Sequence, residues 1–394
     1  MRESLFSIFR KKEGEIDALN GVRAFALLSV FFFHTWGLGG VLLKEMNPTF
    51  VRFLGNLSSG VDCFFVLSGF LIYGNLFREF ERSGDIRFRD FYLKRSFRIF
   101  PAYYFAFFII FIIKNILLYR FTQNPASADP EWIRMLQNDV GKAWISALYL
   151  SDLFEFQFTS VDWSLSVEEH FYLFCPVLSL YLLKRFGFRG RMTAYGILIL
   201  TAFCVRSYMA FRNDPMTNFF FFSKFDCLVA GMATYEIYER ISGRTSDFSG
   251  RILYLCLIPS FLICYFLAHS FHKDSLSALI LRPNLLSIAF GILLLILLQK
   301  KPNPFTGFFS FRGFRPIARV SYTIYLWHFI LMPVTISIAH KFFKSGILEA
   351  HYTIASCIAF IINFLIAWVL YLSIERPFLK RKDRLFGNEK KEIA

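Results

Sequence analysis

The sequence predicts an all-α integral membrane protein with about ten transmembrane helices and both termini in the cytoplasm. Of its 394 residues, 55% are hydrophobic and only 19% are charged, and the mean hydropathy is +0.46. So few polar side chains would not cover the exterior of a soluble domain of this size. The apolar residues gather into long runs and the basic residues into alternate connecting segments, a combination that predicts repeated membrane crossings.

The apolar runs define the expected helices. Crossing a hydrocarbon core of about 30 Å takes roughly 17 to 25 helical residues. Runs near that length lie at 21–43, 57–77, 99–118, 161–183, 192–211, 218–238, 252–270, 284–299, 317–338 and 352–374. The first run lacks a small-residue cleavage site and is longer than the apolar part of a signal peptide, so we expect an uncleaved helix.

The basic residues predict the orientation. If residues 1–20 are cytoplasmic, the inside segments contain 30 of the 44 Lys and Arg residues, which is the bias of the positive-inside rule. Those segments are 1–20, 78–98, 184–191, 239–251, 300–319 and 376–394. We therefore expect a cytoplasmic N-terminal segment at 1–20, a transmembrane domain at 21–375 and a cytoplasmic basic tail at 376–394.

The remaining composition excludes several other classes. The net charge of +15 is mostly this orientation signal, and because the basic residues are not gathered into one solvated domain, we expect no nucleic-acid partner. The seven Cys lie mostly in apolar runs without ligand spacing, so neither a metal nor a disulfide framework is expected. Outside the membrane, only residues 119–160 form a sizeable loop, which we expect to be partly ordered at the interface.

Ionisable side chains inside the apolar runs are candidates for function, since each costs several kcal/mol at bilayer depth unless it is paired or hydrated. At a rise of 1.5 Å per residue, five such groups from five helices fall near one depth in the outer half of the membrane. They are His34, Asp62, Glu168, Asp226 and His328. A histidine beside a carboxylate is typical of a general base, which favours His34 with Glu168. The plainer alternative is that each is a satisfied structural group, for instance Asp226 paired with Lys224.

Three arginines form a second expected group near the cytoplasmic side. Arg23 lies eleven positions before His34, on the same helix face and about 16 Å away along the axis. Arg95 and Arg98 are three positions apart and also share a face. Guanidinium groups bind phosphates well, so we expect a phosphorylated donor with a long arm, a shape that acyl-CoA has. The alternative is that Arg95 and Arg98 only follow the positive-inside rule.

Six motifs resemble the membrane acyltransferase-3 family, in the family's order and over nearly the whole chain. They are Leu19-Asn20-Gly21-Val22-Arg23 with His34 (R-x10-H), residues 60–70 (GVDCFFVLSGF), Arg95-x-x-Arg98 before Pro101, residues 163–172 (WSLSVEEHFY), residues 321–328 (SYTIYLWH) and residues 374–377 (IERP). Six such motifs on a ten-helix frame are specific, although each is weak alone. The resemblance implies transfer of an acyl group, commonly acetyl, from cytoplasmic acyl-CoA to a hydroxyl of a glycan or other acceptor.

The resemblance also implies residue roles. His34 would be the catalytic base, with Glu168 and Tyr172 in the acyl-transfer site, and Arg23, Arg95 and Arg98 would face CoA. Apart from the resemblance, we expect Glu168 or Asp62 to orient His34, which makes Asp62 a further catalytic candidate. Further candidates for the pocket are Ser68, Trp163, Asp226, Tyr325 and His328. The chain departs from the family pattern at three positions, with Asn20 for the usual Asp, Ala24 for a second Gly and His170 for the usual Gln.

We therefore expect a multi-pass O-acyltransferase of the bacterial inner membrane that uses acetyl-CoA to acylate a cell-envelope glycan. His34 would take the proton of the acceptor hydroxyl, either with direct attack on the thioester or after an acyl-enzyme has formed on Tyr172 or Ser68. Some relatives carry an extracytoplasmic SGNH domain, for which this chain has no room. Either the membrane domain or a separate extracytoplasmic partner would then complete the transfer. The alternatives are an exporter of a small acid or glycan, and a scaffold whose polar cluster only joins helices.

Overall fold

In the computed structural model, every regular secondary-structure element of the described residues is a helix. It describes residues 6–38, 44–242, 247–271, 275–299, 303–342 and 347–386. The helices are α1 (Asp17–Gly37), α2 (Pro48–Asn56), α3 (Ser59–Ser83), α4 (Phe88–Gln123), α5 (Pro130–Ala147), α6 (Asp162–Arg185), α7 (Phe188–Phe211), α8 (Phe221–Ser242), α9 (Asp247–Ser270), α10 (Leu276–Leu297), α11 (Pro304–Phe309), α12 (Phe314–Phe342), α13 (Leu348–Leu370) and α14 (Arg376–Phe386). A π-helical turn, Tyr371–Glu375, joins α13 to α14.

Each of the ten predicted apolar runs overlaps one long helix, although residues 39–43 of the first run lie outside the described residues. Within the described ranges, seven helical segments are long and apolar enough to cross a membrane. Helices α6 and α8 are not among the seven, and both carry several charged side chains that lower their hydropathy. The membrane class is thus confirmed, while the number of ten crossings stays a prediction. The expected order in the loop 119–160 is present as the helix α5.

The six segments predicted to be cytoplasmic meet pairwise at one face of the helix bundle, which we call the basic face. Four contacts join them in two groups: Glu15–Arg319 at 2.7 Å in one, and in the other Asp85–Lys184 at 3.3 Å, Arg240 at 4.6 Å from the Phe188 ring centre and Lys94 at 5.6 Å from that of Phe386. Lys12 of the first group lies within electrostatic range of Arg98 and Asp383 of the second. The predicted topology requires this arrangement, because segments that are separated by an even number of crossings must lie on the same face.

Helices α3 and α8 pack in close backbone contact, which their glycines permit. A Cβ atom on Gly69 would lie 1.9 Å from the carbonyl oxygen of Leu228, and one on Gly231 would lie 2.2 Å from that of Val66. No side chain fits at such distances, and small residues of this kind are the usual means of bringing membrane helices together. Gly69 of the second motif therefore serves helix packing, and the packing holds α3 against α8 behind the site.

Candidate active site

A cavity of about 670 Å³ opens at the basic face and extends far into the bundle, a volume within the usual range for small-molecule sites. Its walls come from α1, α3, α4, α6, α12 and α14, with the π-helical turn. Along α3 the lining runs from Ser83 to Val61, which is about 33 Å of helix axis. The cavity can therefore take a long, narrow ligand that enters from the basic face.

The cavity is lined by ten basic and six acidic side chains. The basic ones are Lys12, Arg23, Arg78, Arg82, Arg87, Lys94, Arg95, Arg98, Arg319 and Lys382. Most of them belong to the mouth, where α3 ends and where α4 and α14 begin. Low-dielectric walls of one prevailing charge concentrate anions from solution, so the mouth favours an anionic ligand.

The structure brings the three predicted arginines together, since all of them line this cavity. The guanidinium carbon of Arg95 lies 5.1 Å from the ring centre of Tyr172, a cation–π distance. Arg23 is half-buried and lies within electrostatic range of Arg95 and Arg98. Among the described residues neither Arg23 nor Arg98 has a hydrogen-bond partner, so their donors are available to a ligand.

The carboxylate of Glu168 lies on the cavity wall with two hydroxyl groups. The Ser68 hydroxyl donates to its Oε1 at 2.7 Å, and the Tyr172 hydroxyl donates to its Oε2 at 2.9 Å. All three residues line the cavity. The start of α6 is held by Asp162, whose carboxylate accepts from the amide (2.8 Å) and hydroxyl (2.5 Å) of Thr159. Three of the predicted site residues thus form one cluster, with Glu168 and Tyr172 on α6 and Ser68 on α3.

His34 has a different partner from those that the sequence predicts. Its Nδ1 lies 2.6 Å from Nε2 of His328 on α12, and the two rings meet edge to edge with centres 4.9 Å apart and planes 23° apart. The described hydrogen bonds of Glu168 go to hydroxyl groups and not to His34, and Asp62 faces α8. The expected orientation of His34 by Glu168 or Asp62 is therefore replaced by a histidine pair, which joins two of the five residues predicted at one depth.

The histidine pair lies about one helical turn beyond the end of the cavity. The outermost lining residue of α3 is Val61, and its neighbour Gly60 packs against α1 between Ala26 and Val30. His34 lies four residues past Val30, about 6 Å further along α1. On α12 the lining ends at Tyr325, three residues before His328. The hydroxyl of Tyr325 shares a hydrogen bond with that of Ser164, and this contact lies at the end of the cavity that is furthest from the basic face.

Asp226 and Asp62 belong to ion pairs outside the cavity lining. Asp226 Oδ2 is 2.8 Å from Arg206 Nη1, and both side chains are fully buried. Asp62 Oδ1 is 3.2 Å from Nζ of Lys224. Both aspartates therefore form structural ion pairs, as the plainer alternative proposed. Lys224, however, pairs with Asp62, and Asp226 pairs with Arg206. Neither aspartate shares a described hydrogen bond with His34 or His328. The two therefore do not belong to the single cluster that equal depth predicted.

Trp163 packs as an aromatic core residue. Its ring makes edge contacts with those of Phe65 and Phe219, with centres 6.1 and 5.2 Å apart. It does not line the cavity, whereas Tyr325 does. Within the described ranges, no group of three His, Cys, Asp or Glu side chains is arranged to hold a metal ion.

Sequence reasoning missed Glu169 and most of the basic mouth. Glu169 lines the cavity beside Glu168, although successive helix residues are 100° apart and only one was expected to face inward. The mouth lysines and arginines had been assigned to the positive-inside rule. The signal available in the sequence was the number of basic residues near the ends of the second and third runs. These residues contribute to the orientation in the membrane and also line the cavity.

Two departures from the family pattern have partners in the structure. Asn20 donates to Glu15 at 2.9 Å, and Glu15 also accepts from Arg319. Burial opposes ionisation of Glu15, but these bonds and that of the Lys12 amide outweigh it and hold the pKa of Glu15 below its usual value. His170 lies 2.8 Å from Asp152, whose pKa burial raises although the His170 contact opposes the shift. Asn20 and His170 thus each bind a nearby acidic residue, Glu15 and Asp152 respectively.

Comparisons with known proteins identify the family of this chain. The sequence profile of the acyltransferase 3 family, described as an acyltransferase domain, matches residues 16–372. The peptidoglycan O-acetyltransferase OatA of Listeria monocytogenes is 25% identical over 389 residues, with 93% of this chain and 56% of the relative covered. The O-acetyltransferase OatA of Staphylococcus aureus is 24% identical over 387 residues, covering 94% and 58%.

The chain thus spans a little more than half the length of these relatives. No solved structure matches it significantly. The profile match over most of the chain, together with the apolar helices, shows that the chain belongs to the acyltransferase 3 family and is a multi-pass bacterial membrane protein.

Proposed function

We propose that this chain is a membrane O-acetyltransferase that takes the acetyl group of acetyl-CoA at the basic face and delivers it to a hydroxyl of a cell-envelope glycan. The observation that carries the proposal is the long cavity with a cationic mouth, a carboxylate–hydroxyl cluster on its wall and a histidine pair one turn beyond its end. In this proposal the donor binds in the cavity, and the acceptor reacts at the histidine pair further along the same path through the bundle.

The donor half of the proposal rests on charge and shape. CoA carries its phosphates on the nucleotide and its acyl group at the end of a narrow arm. Arg23, Arg95 and Arg98 would hold the phosphates, because guanidinium groups form strong charge-assisted bonds to phosphate oxygens. The cavity along α3 would take the pantetheine arm and bring the thioester towards Glu168, Ser68 and Tyr172.

The acceptor half rests on His34. As the acceptor oxygen bonds to the acyl carbon, its proton passes to His34, and the bond from that carbon to the leaving group breaks. In the direct route the leaving group is the CoA thiolate. In the second route, Ser68 or Tyr172 first receives the acyl group, since Glu168 accepts from both hydroxyls and can take the proton of either.

The topology in this proposal places the basic face in the cytoplasm, with ten crossings, a transmembrane domain at 21–375 and both termini inside. The positive-inside bias supports this orientation, and so does the meeting of the six segments at one face. The acceptor would then lie on the opposite side. The names of the relatives favour peptidoglycan, and the transfer is completed either by this membrane domain or by a separate extracytoplasmic partner.

The proposal is tested by mass spectrometry of envelope glycans from cells with the gene, without it, and with it restored. We expect loss of an acetyl increment from one glycan when the gene is absent and its return on complementation. Purified protein in nanodiscs should also consume acetyl-CoA when the identified glycan is supplied. An exporter would not consume acetyl-CoA, so unchanged glycans and unconsumed donor would contradict the proposal.

Arg95→Ala is expected to raise the KM for acetyl-CoA about tenfold and to change kcat by less than about threefold, because a charge-assisted bond to phosphate contributes about 1.5–3 kcal/mol. Initial rates against donor concentration give both constants. The matched control is Arg134→Ala, an exposed arginine of α5 outside this cavity. A fall in kcat at unchanged KM would assign Arg95 to the chemical step, through its contact with the Tyr172 ring, and would contradict the donor-binding role.

A further inference from the structure

The histidine pair has a defined hydrogen-bond direction. His328 Nδ1 lies 2.9 Å from the carbonyl oxygen of Tyr325 and 3.1 Å from that of Ile324, both in the preceding turn of α12. Carbonyl oxygens only accept hydrogen bonds, so the His328 Nδ1 must carry the proton. In a neutral imidazole the other nitrogen is then an unprotonated acceptor.

The direction of the next bond follows from the first. The His328 Nε2 lies 2.6 Å from Nδ1 of His34, and an acceptor at that distance requires a donor. Nδ1 of His34 therefore carries its proton, and its lone pair is on Nε2, on the side of the ring away from His328. The ring is also fixed in direction, because it lies edge to edge with His328, with the two planes 23° apart, and meets Phe329 edge-on with centres 5.8 Å apart.

From this geometry we propose that His328 is the positioning residue of the reaction: it holds His34 in the tautomer whose Nε2 takes the acceptor proton. The inference rests on the proposed function, in which His34 is the base. When Nε2 takes the proton, the His34 ring becomes an imidazolium, and the lone pair of His328 accepts from its Nδ1–H throughout. That proton then passes from Nε2 to the leaving group, and the pair returns to its starting state.

Burial makes this arrangement effective. His328 is 1% exposed, so water does not compete for its Nε2, and its Nδ1 is already occupied by backbone that cannot be removed by a side-chain change. A neutral acceptor of fixed direction replaces the carboxylate that orients the histidine in many hydrolytic triads. A neutral partner avoids the cost of a buried carboxylate beside the pair.

The test compares two replacements at position 328. Phenylalanine keeps a planar ring but offers no acceptor, whereas the glutamine amide oxygen reaches about as far as Nε2 and can accept from His34. We expect His328→Phe to lower kcat about 100-fold or more with the KM for acetyl-CoA within about threefold. His328→Gln should keep kcat within about tenfold of the wild type. The same two changes at His351 on α13 serve as controls.

A second measurement does not depend on activity. In wild-type protein labelled with ¹⁵N-histidine, solid-state NMR should show both His34 and His328 protonated at Nδ1 and unprotonated at Nε2, with assignments from His34→Gln and His328→Gln. Protonation of His34 at Nε2, or a wild-type kcat in a folded His328→Phe variant, would overturn the inference while leaving the proposed function intact. Wild-type activity of His34→Gln would instead overturn the proposed base itself.

Discussion

Replacing His34 with glutamine is expected to lower the rate of acetyl transfer by about 10²- to 10⁴-fold, the usual contribution of a general base. Glutamine removes the basic nitrogen, so proton removal is lost, and because its amide lies near the position of Nε2 and not of Nδ1, the bond to His328 is lost as well. Since His34 lies beyond the lining of the cavity, the affinity for acetyl-CoA should change little. Transfer by purified protein in nanodiscs, with donor binding measured separately, gives both quantities.

The control for this variant is His351→Gln, the same change in a histidine of α13 with no described contact to the pair. We expect it to transfer acetyl at the wild-type rate. If His34→Gln also transferred at a rate within about threefold of the wild type, His34 would not be the base. If donor binding were lost together with transfer, the separation between donor and acceptor regions would be wrong.

The largest effect on stability is expected at the buried pair of Arg206 and Asp226. Among the described residues, Arg206→Met leaves the buried Asp226 carboxylate with the Asn284 amide as its one side-chain partner, and breaking a buried ion pair in this way typically costs about 3–5 kcal/mol. The double variant Arg206→Met with Asp226→Leu removes both charges and should recover most of that loss. Thermal unfolding in one detergent, with transfer measured per folded molecule, compares the three proteins.

The double variant also separates structure from catalysis. Asp226 forms its ion pair with Arg206 outside the cavity lining, so a folded double variant should transfer acetyl at close to the wild-type rate. A double variant that is stable but inactive would return Asp226 to the catalytic group. A double variant as unstable as Arg206→Met would show that the remaining polar neighbours, and not the unpaired charge, determine the cost.

Much of the fold was predictable because lipid imposes simple length and polarity rules. The run 284–299 contains no ionisable side chain and coincides with α10, where hydropathy alone is sufficient. The run 161–183 became α6 although it is too polar to qualify as a span by composition. In that helix the polar residues face a cavity, an arrangement that hydropathy does not record. The short helices α5 and α14 follow amphipathic patterns with no span signal.

The site was predictable at the level of residue types but not of partners. Arg23, Arg95 and Arg98, which were chosen from motif positions, line one cavity. Depth along separate helices could not decide pairing, since it leaves the rotation of each helix undetermined. Asp226 and His328 therefore looked equivalent from the sequence, yet one faces Arg206 and the other faces His34.

The hydrogen bond between Ser164 and Tyr325 at the end of the cavity has a consequence for the energetics of the cell. A path wide enough to pass a pantetheine arm from one side of the membrane to the other would also conduct water and ions, and would dissipate the gradients that drive ATP synthesis. With Phe64 packed on Tyr325, ring centres 6.2 Å apart, side chains close the cavity at this end. In the proposed function only the acetyl group, uncharged and small, would have to pass them.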